Sequence, residues 1–251
     1  MKIILFLIIV PFFLKAQINT ESARKEFSND IWKTEVTLDA ILRGGNNEFI
    51  DGNIQIRSDL HLKNHYAFLV ANTQYRDGFT KILDRRGFIH ARYNYTFSDK
   101  YTIESFFQNE FNDFQKLNSR ILYGLGSRLK LLDYGDDSSN TKSYVYLGNA
   151  FMLEDEILEN EGKLPLITRS TNYLSVFLRI SKTIDFISVT YYQFRVDEIN
   201  DYRILNDTRL EFQISKHLKF ISAFDYRFDN VPAFDVKKYD YELRNGIRVE
   251  F

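Results

Sequence analysis

The last eleven residues alternate strictly in character. Tyr241, Leu243, Asn245, Ile247, Val249 and Phe251 fall on one face of an extended chain, and Glu242, Arg244, Gly246, Arg248 and Glu250 on the other. Successive side chains of a strand point to opposite faces, so this is a strand with one nearly apolar and one charged face. The pattern recurs upstream. Trp32, Val36, Leu38, Ala40 and Leu42 oppose Lys33, Glu35, Asp39 and Arg43. Ile50, Ile54, Ile56, Leu60 and Leu62 oppose Asp51, Gln55, Arg57, Asp59 and His61. Ile89, Ala91, Tyr93, Tyr95 and Phe97 oppose His90, Arg92 and Asn94. Leu117, Ile121, Tyr123, Leu125, Leu129 and Leu131 oppose Asn118, Arg120, Arg128 and Lys130. Leu174, Val176, Leu178 and Ile180 oppose Arg169, Tyr173 and Arg179, and Ile204, Leu210, Phe212 and Ile214 oppose Arg203, Asp207, Arg209 and Glu211. Less regular strands fall near 66–76, 101–112, 144–156, 186–195 and 218–228. The 186–195 strand reads equally well with either face outward.

Strand length separates two architectures. Soluble sandwiches use strands of about 5–6 residues. Several segments here alternate for about 10 to 14, the length that crosses a bilayer at a tilt. Alternating segments of about ten residues, in an even number, are the signature of outer-membrane barrels. The fold class predicted is all-β: a closed antiparallel transmembrane β-barrel of about twelve strands. Aromatic residues make up 16% of the chain, which suits the girdles at both rims of such barrels. Rim candidates are Trp32, Tyr66, Tyr75, Phe97, Tyr101, Phe111, Phe228, Tyr241 and Phe251, while Phe88, Phe106 and Tyr173 point inward.

The N-terminus reads as a secretory signal peptide. Lys2 precedes an apolar run over 3–14 and a small residue, Ala16, closes it. The run is too short for a membrane-spanning helix, which needs about 20 residues. The organisation predicted is a signal peptide over 1–16, a short periplasmic segment over 17–30 and an outer-membrane barrel over 31–251. With the N-terminus in the periplasm, connections after even strands should be short and those after odd strands longer. Lys63-Asn64-His65, Ser98-Asp99-Lys100, Ser181-Lys182-Thr183 and Ser215-Lys216-His217 are the short ones, and 77–85, 157–166 and 229–238 the longer. The stretch 133–142 is long on the wrong side, and Gly44-Gly45-Asn46-Asn47 is a short loop on the other.

The terminal Phe251, with Val249, Ile247 and Tyr241 on its face, resembles the C-terminal signal by which the barrel-assembly machinery recognises outer-membrane proteins. Other stretches resemble a bacterial family catalogued as domain of unknown function 481, also described as salt-induced outer membrane proteins. They are His90-Ala91-Arg92-Tyr93-Asn94-Tyr95, Glu104-Ser105-Phe106-Phe107-Gln108-Asn109-Glu110-Phe111-Asn112 and Arg120-Ile121-Leu122-Tyr123-Gly124-Leu125-Gly126-Ser127-Arg128. Glu154-Asp155-Glu156, Arg169-Ser170-Thr171-Asn172-Tyr173-Leu174-Ser175 and Tyr191-Tyr192-Gln193-Phe194 continue it. The resemblance runs from about residue 35 to the end. It implies an outer-membrane barrel and carries over no catalytic residue.

The charged faces hold both signs. The polar lumen network is predicted to comprise Arg57, Asp59, Arg92, Glu104, Glu110, Arg120, Arg128, Glu154, Glu156, Arg169, Arg179, Arg209, Arg244 and Arg248. Asp225, Glu242 and Glu250 are further acidic candidates. Twelve strands lie between the about eight that side chains can fill and the sixteen that leave a channel. Bidentate Arg–carboxylate contacts would brace and largely close such a lumen. The alternative is a narrow passage for small polar solutes or ions. A third reading is an outer-membrane enzyme acting on lipid or peptide. A barrel phospholipase needs His with Ser close by on the lipid face, yet His61, His65, His90 and His217 are followed two positions on by Lys63, Ala67, Arg92 and Lys219. Glu154 and Glu156 share a face and could serve acid–base chemistry or a cation, but a structural role with the inward Arg residues suits them better. Asp136-Asp137-Ser138-Ser139-Asn140 lacks the length and acidic end of an EF-hand loop. Gly124 and Gly126 are not a phosphate loop, since no helix follows; bare backbone there leaves room for a bulky neighbour.

Without Cys there is no thiolate metal site or disulfide, and a net charge of -1 gives no nucleic-acid footprint. The chain is therefore predicted to be a non-enzymatic barrel of the bacterial outer membrane, structural or envelope-stress related. It needs no cofactor or metal. Its partners are outer-membrane lipid and, during insertion, the assembly machinery, and not nucleic acid.

Overall fold

The computed structural model describes residues 31–44, 48–78, 82–135 and 142–249. The segments read over 1–16 and 17–30, the run Asp136-Asp137-Ser138-Ser139-Asn140, and the terminal Glu250 and Phe251 lie outside them.

The described chain is almost entirely strand. In order these are β1 (Trp32–Arg43), β2 (Phe49–Leu62), β3 (His65–Asp77), β4 (Ile82–Thr96), β5 (Tyr101–Asn112), β6 (Leu117–Tyr134) and β7 (Ser143–Leu158). They continue with β8 (Gly162–Lys163), β9 (Ile167–Ser181), β10 (Ile184–Arg195), β11 (Tyr202–Ser215), β12 (Leu218–Asp229) and β13 (Tyr239–Val249). The twelve long strands form one antiparallel meander, each paired with its chain neighbours, and β8 is a two-residue ladder on β7 that alternation does not signal. Among the described residues no ladder joins β1 to β13.

Burial is inverted relative to a soluble protein. Arg57, Asp59, His90, Arg92, Glu104, Glu154 and Arg169 are buried, while Leu38, Leu42, Leu125, Phe151, Leu243 and Ile247 are exposed. The polar face is concave. The Tyr173 hydroxyl on β9 donates to Glu104 Oε2 on β5 at 2.9 Å, although β6 and β7 lie between them in the sheet. In a flat sheet three strand spacings would separate them by about 14 Å. Strong curling brings them together and aims the charged faces at one another. At β10, Val189 and Tyr191 face inward and form a small apolar cluster with Tyr173 and Leu205.

The connections alternate between two ends. At one end, the turn end, they are 63–64, 97–100, 135–142, 182–183 and 216–217; at the other, the loop end, they are 44–48, 78–81, 113–116, 159–166, 196–201 and 230–238. The short turns read from sequence fall where expected. The loop expected over 77–85 does not form at that length, because β3 runs to Asp77 and β4 starts at Ile82. Its charged residues pair across the ladder, Tyr75 with Arg85 and Arg76 with Asp84. Asp84 is buried on the inward face, 3.6 Å from Arg86, while Arg85 is exposed on the outer face beside Asp113.

Two side chains turn the other way from the sequence reading. Leu117 is buried rather than outward, because a register shift between Leu117 and Ser119 moves it to the inner face. Tyr66 is not a rim residue: it shares the inner face of Phe68, and its hydroxyl donates to Asp59 Oδ1 at 2.8 Å. Trp32, Tyr75, Phe97, Tyr101 and Tyr241 are exposed near strand ends.

Candidate functional site

The concave face carries three groups of charged side chains. The largest lies near the loop end. Glu154, on β7 and fully buried, accepts from Arg169 Nε at 3.2 Å and from Arg203 Nη1 at 2.9 and 3.0 Å. Arg169 also grips Asp201, Nη1 to Oδ1 at 2.8 Å and Nη2 to Oδ2 at 3.1 Å. Arg203 further contacts Glu156 at 3.3 Å and Asp229 at 2.8 Å. Arg120 links Glu156 to Glu110, donating to the latter at 2.7 Å. Gln108 donates to Glu110 at 2.9 Å and bonds His90 through its carbonyl oxygen at 3.0 Å. One connected set of polar groups thus crosses from β4 to β12.

Alternation places these groups together. Residues two apart on a strand share a face, so Glu154 and Glu156 both enter the interior, and the register sets Glu156 directly opposite Arg120 and Arg120 opposite Glu110. Buried charges are tolerated only when paired and hydrogen-bonded, and each acid here meets at least one guanidinium. Asp201 and Asp229 are members that the alternation did not reveal: Asp201 sits in a connection and Asp229 ends its strand, where faces cannot be read from a period of two.

Above this network lies a cavity of about 240 Å³, lined by Arg120, Glu156 and Arg203 below and Val231, Pro232 and Ala233 above. The connections 159–166 and 230–238 meet over it. Phe234 N donates to Glu161 at 3.3 Å, and Lys116 Nζ donates to the Phe234 carbonyl at 3.2 Å. In the neighbouring connection 196–201, a hydrogen bond from Arg195 holds the Asp197 carboxyl below the usual carboxylate range.

The second group, toward the turn end, combines charge with aromatic rings. Arg57 binds Asp59 through Nε at 2.7 Å, and its guanidinium lies 5.2 Å from the Phe68 ring centre. Arg92 is 3.5 Å from Glu104 and 5.3 Å from the Phe106 ring centre, and Arg128 stacks 3.5 Å over Tyr146. Such contacts let a guanidinium rest against apolar surface without losing its attraction. Glycines make the room: a Cβ on Gly124 would overlap the Phe106 ring, and one on Gly148 the Tyr173 ring.

The third group lines β11 to β13 and is more open. Arg209, Arg244 and Arg248 keep side-chain exposures of 44%, 48% and 50%, although the register puts them on the inner face. Arg209 pairs with Glu211 at 3.2 Å and Arg244 with Glu242 at 3.0 Å and with Asp225. Arg179 is half-buried against Asp185 at 2.6 Å. Of the fourteen side chains read as a lumen network, these four therefore stand apart from the buried set, and Arg209, Arg244 and Arg248 are exposed rather than enclosed. Arg209 lies on β11 and Arg244 and Arg248 on β13, at the end of the meander, where among the described residues no further ladder continues the sheet. Of the C-terminal signal candidates, Tyr241 and Ile247 are exposed on the outer face, Val249 ends β13, and Phe251 lies outside the described residues. Among the described residues no group of three or more His, Asp or Glu side chains is placed to hold a metal ion.

Among solved structures, the chain is similar to the NanC porin in a rhombohedral crystal form, at 11% identity and a TM-score of 0.47, over 86% of this chain and 100% of that one. It is also similar to the KdgM porin, at 13% identity and a TM-score of 0.43, over 88% and 98% of the two chains. A second KdgM structure, in complex with disordered oligogalacturonate, aligns with a TM-score of 0.42 at 13% identity over the same shares of the two chains. No curated protein matches the sequence. The model of the family described as "Protein of unknown function, DUF481" matches residues 36–251, nearly the whole described sheet, and the chain belongs to that family.

Proposed function

We propose that the chain is an integral protein of the bacterial outer membrane, its twelve long strands closed into a barrel, with a structural or envelope-stress role. The observation that carries this reading is the inverted burial. Leu125 and Phe151 are exposed in mid-strand while Glu154 and Arg169 are sealed inside. In water that arrangement would expose a large apolar surface and bury charge. In lipid it is the favourable arrangement, with ladders and ion pairs inside and hydrocarbon outside.

The Arg–carboxylate network argues for an occluded lumen at the loop end, where Arg203 spans the interior, and Tyr173 crosses it again toward the turn end. The activity proposed is therefore mechanical: a braced barrel held by lipid, inserted by the assembly machinery, without a reaction of its own and without nucleic-acid partners. Purified protein in a planar bilayer should show no conductance steps, and the membrane-fraction protein should shift in gel mobility on heating. Soluble periplasmic protein without a heat shift would overturn the reading.

One observation favours a second reading. The exposed, inward-facing Arg209, Arg244 and Arg248 leave the wall near β13 unfilled, as a narrow passage for small polar solutes or ions would require. Reproducible conductance steps, reduced by replacing these arginines, would establish it in place of the occluded lumen.

A further inference from the structure

The edges of the sheet carry charges that specify how it closes. β1 and β13 are the two terminal strands, and among the described residues no ladder covers their outer edges. In lipid an open edge leaves a row of backbone groups unsatisfied, at several kcal/mol for each group. Closure is part of the function proposed above, and the present inference rests on it but goes further, to the register.

The order of strands makes the closing pair antiparallel, since β1 runs from the turn end and β13 toward it. The inner face of β1 holds Lys33, Glu35, Thr37, Asp39, Ile41 and Arg43, continuing the rows of Asp59, Arg57, Gln55, Asn53, Asp51 and Phe49 on β2. The inner face of β13 holds Asp240, Glu242, Arg244, Gly246 and Arg248, continuing Arg227, Asp225, Ala223, Ile221 and Lys219 on β12. A shift of one residue would turn charges toward lipid, so only registers that keep inner residues opposite inner residues are open.

We infer that β1 and β13 close with Asp39 opposite Arg244. The same register sets Glu35 opposite Arg248 and Arg43 opposite Asp240, three opposite-charge pairs with no like pair among the described residues. Opposite charges directly across a ladder stabilise it and like charges destabilise it. Sliding β13 by two residues one way sets Lys33 against Arg248 and Asp39 against Glu242, two like pairs. Sliding it the other way leaves Asp39 opposite Gly246 and retains one pair, Arg43 with Glu242. The outer face agrees with the chosen register: Val36 meets Ile247, Ala40 meets Leu243 and Leu42 meets Tyr241, extending the apolar surface across the seam. Arg244 already reaches Asp225 and Glu242, so Asp39 would complete a four-membered cluster of alternating sign at the least-filled wall.

The chain contains no Cys, so introduced pairs are its only thiols. Directly opposite residues sit within disulfide reach, whereas diagonal neighbours do not. In full-length protein inserted in outer membranes, oxidation should link Asp39→Cys with Arg244→Cys and, on the other face, Val36→Cys with Ile247→Cys. Asp39→Cys paired with Glu242→Cys or Gly246→Cys, and Val36→Cys paired with Asn245→Cys, should link at least tenfold less. Peptide mass spectrometry reads the yield. Linkage of one of the diagonal pairs instead overturns the register and leaves closure standing. Absence of linkage in every pair overturns this register and both its neighbours, and absence of linkage together with absence of the heat-dependent gel shift overturns closure itself and the proposed function. Charge exchange gives a second test where a cysteine pair prevents folding. Asp39→Arg should lower the heat resistance of the folded form and Arg244→Asp in the same chain should restore it; no restoration overturns the register.

Discussion

Arg203 on β11 spans the interior to Glu154 on β7, its Nη1 lying 2.9 and 3.0 Å from the two carboxylate oxygens. Arg169 meets the same carboxylate from β9, so one buried acid holds two guanidinium groups from different strands. Glu154→Ala should therefore leave two buried cations short of a partner and destabilise the fold by about 3–5 kcal/mol. Arg209→Ala, at an exposed pair, should change stability by about 1 kcal/mol or less. Urea-dependent folding in bilayers, read by tryptophan fluorescence or gel mobility, compares the two.

The Tyr173–Glu104 hydrogen bond ties β9 to β5 through a single hydroxyl. Tyr173→Phe keeps the ring and removes that donor from a buried carboxylate, which should cost about 1–3 kcal/mol. A double-mutant cycle with Glu104→Gln should show coupling between the two sites. Additive effects would mean that the bond contributes nothing across the interior.

Three glycines should respond differently to the same methyl group. Gly124→Ala and Gly148→Ala push a Cβ into the rings of Phe106 and Tyr173 and should each cost about 1–3 kcal/mol or block folding. Gly246→Ala meets nothing within 4 Å and should be tolerated. Folded yield after refolding in detergent separates the two outcomes, and the double variant Gly148→Ala with Tyr173→Ala should recover part of the loss.

Leu125 is 64% exposed in mid-strand on the outer face. If lipid covers it, Leu125→Arg should destabilise the inserted protein by about 2–4 kcal/mol, the cost of arginine near the bilayer midplane. In a soluble protein so exposed a position would tolerate arginine within about 0.5 kcal/mol. Insertion yield into lipid vesicles distinguishes the cases.

Much of this architecture was legible in the sequence because a strand's period of two is a strictly local property. Alternation in the terminal strand, or along 89–97, assigns each residue to a face without knowledge of any neighbour. It fails where the period is interrupted. Alternation puts Leu117 outward because nothing local marks the shift beside Ser119, and it does not separate rim from interior at Tyr66 because a strand's first residues have too few neighbours to set the phase. The charged run near 77–85 reads as a loop because charge ordinarily means solvent. On the inner face of an inverted sheet it means a partner on the next strand.

The amino-acid sequence by itself determined the class of element, the number of long strands and the face on which most charges lie, since these follow from spacing along the chain. Only the tertiary structure decided which charges meet. Register fixes the partners within each ladder, and curvature brings Glu154 to Arg203 and Glu104 to Tyr173 across strands that lie between them. Partners three strands apart leave no trace in local spacing, because their meeting depends on the sum of many small rotations around the sheet.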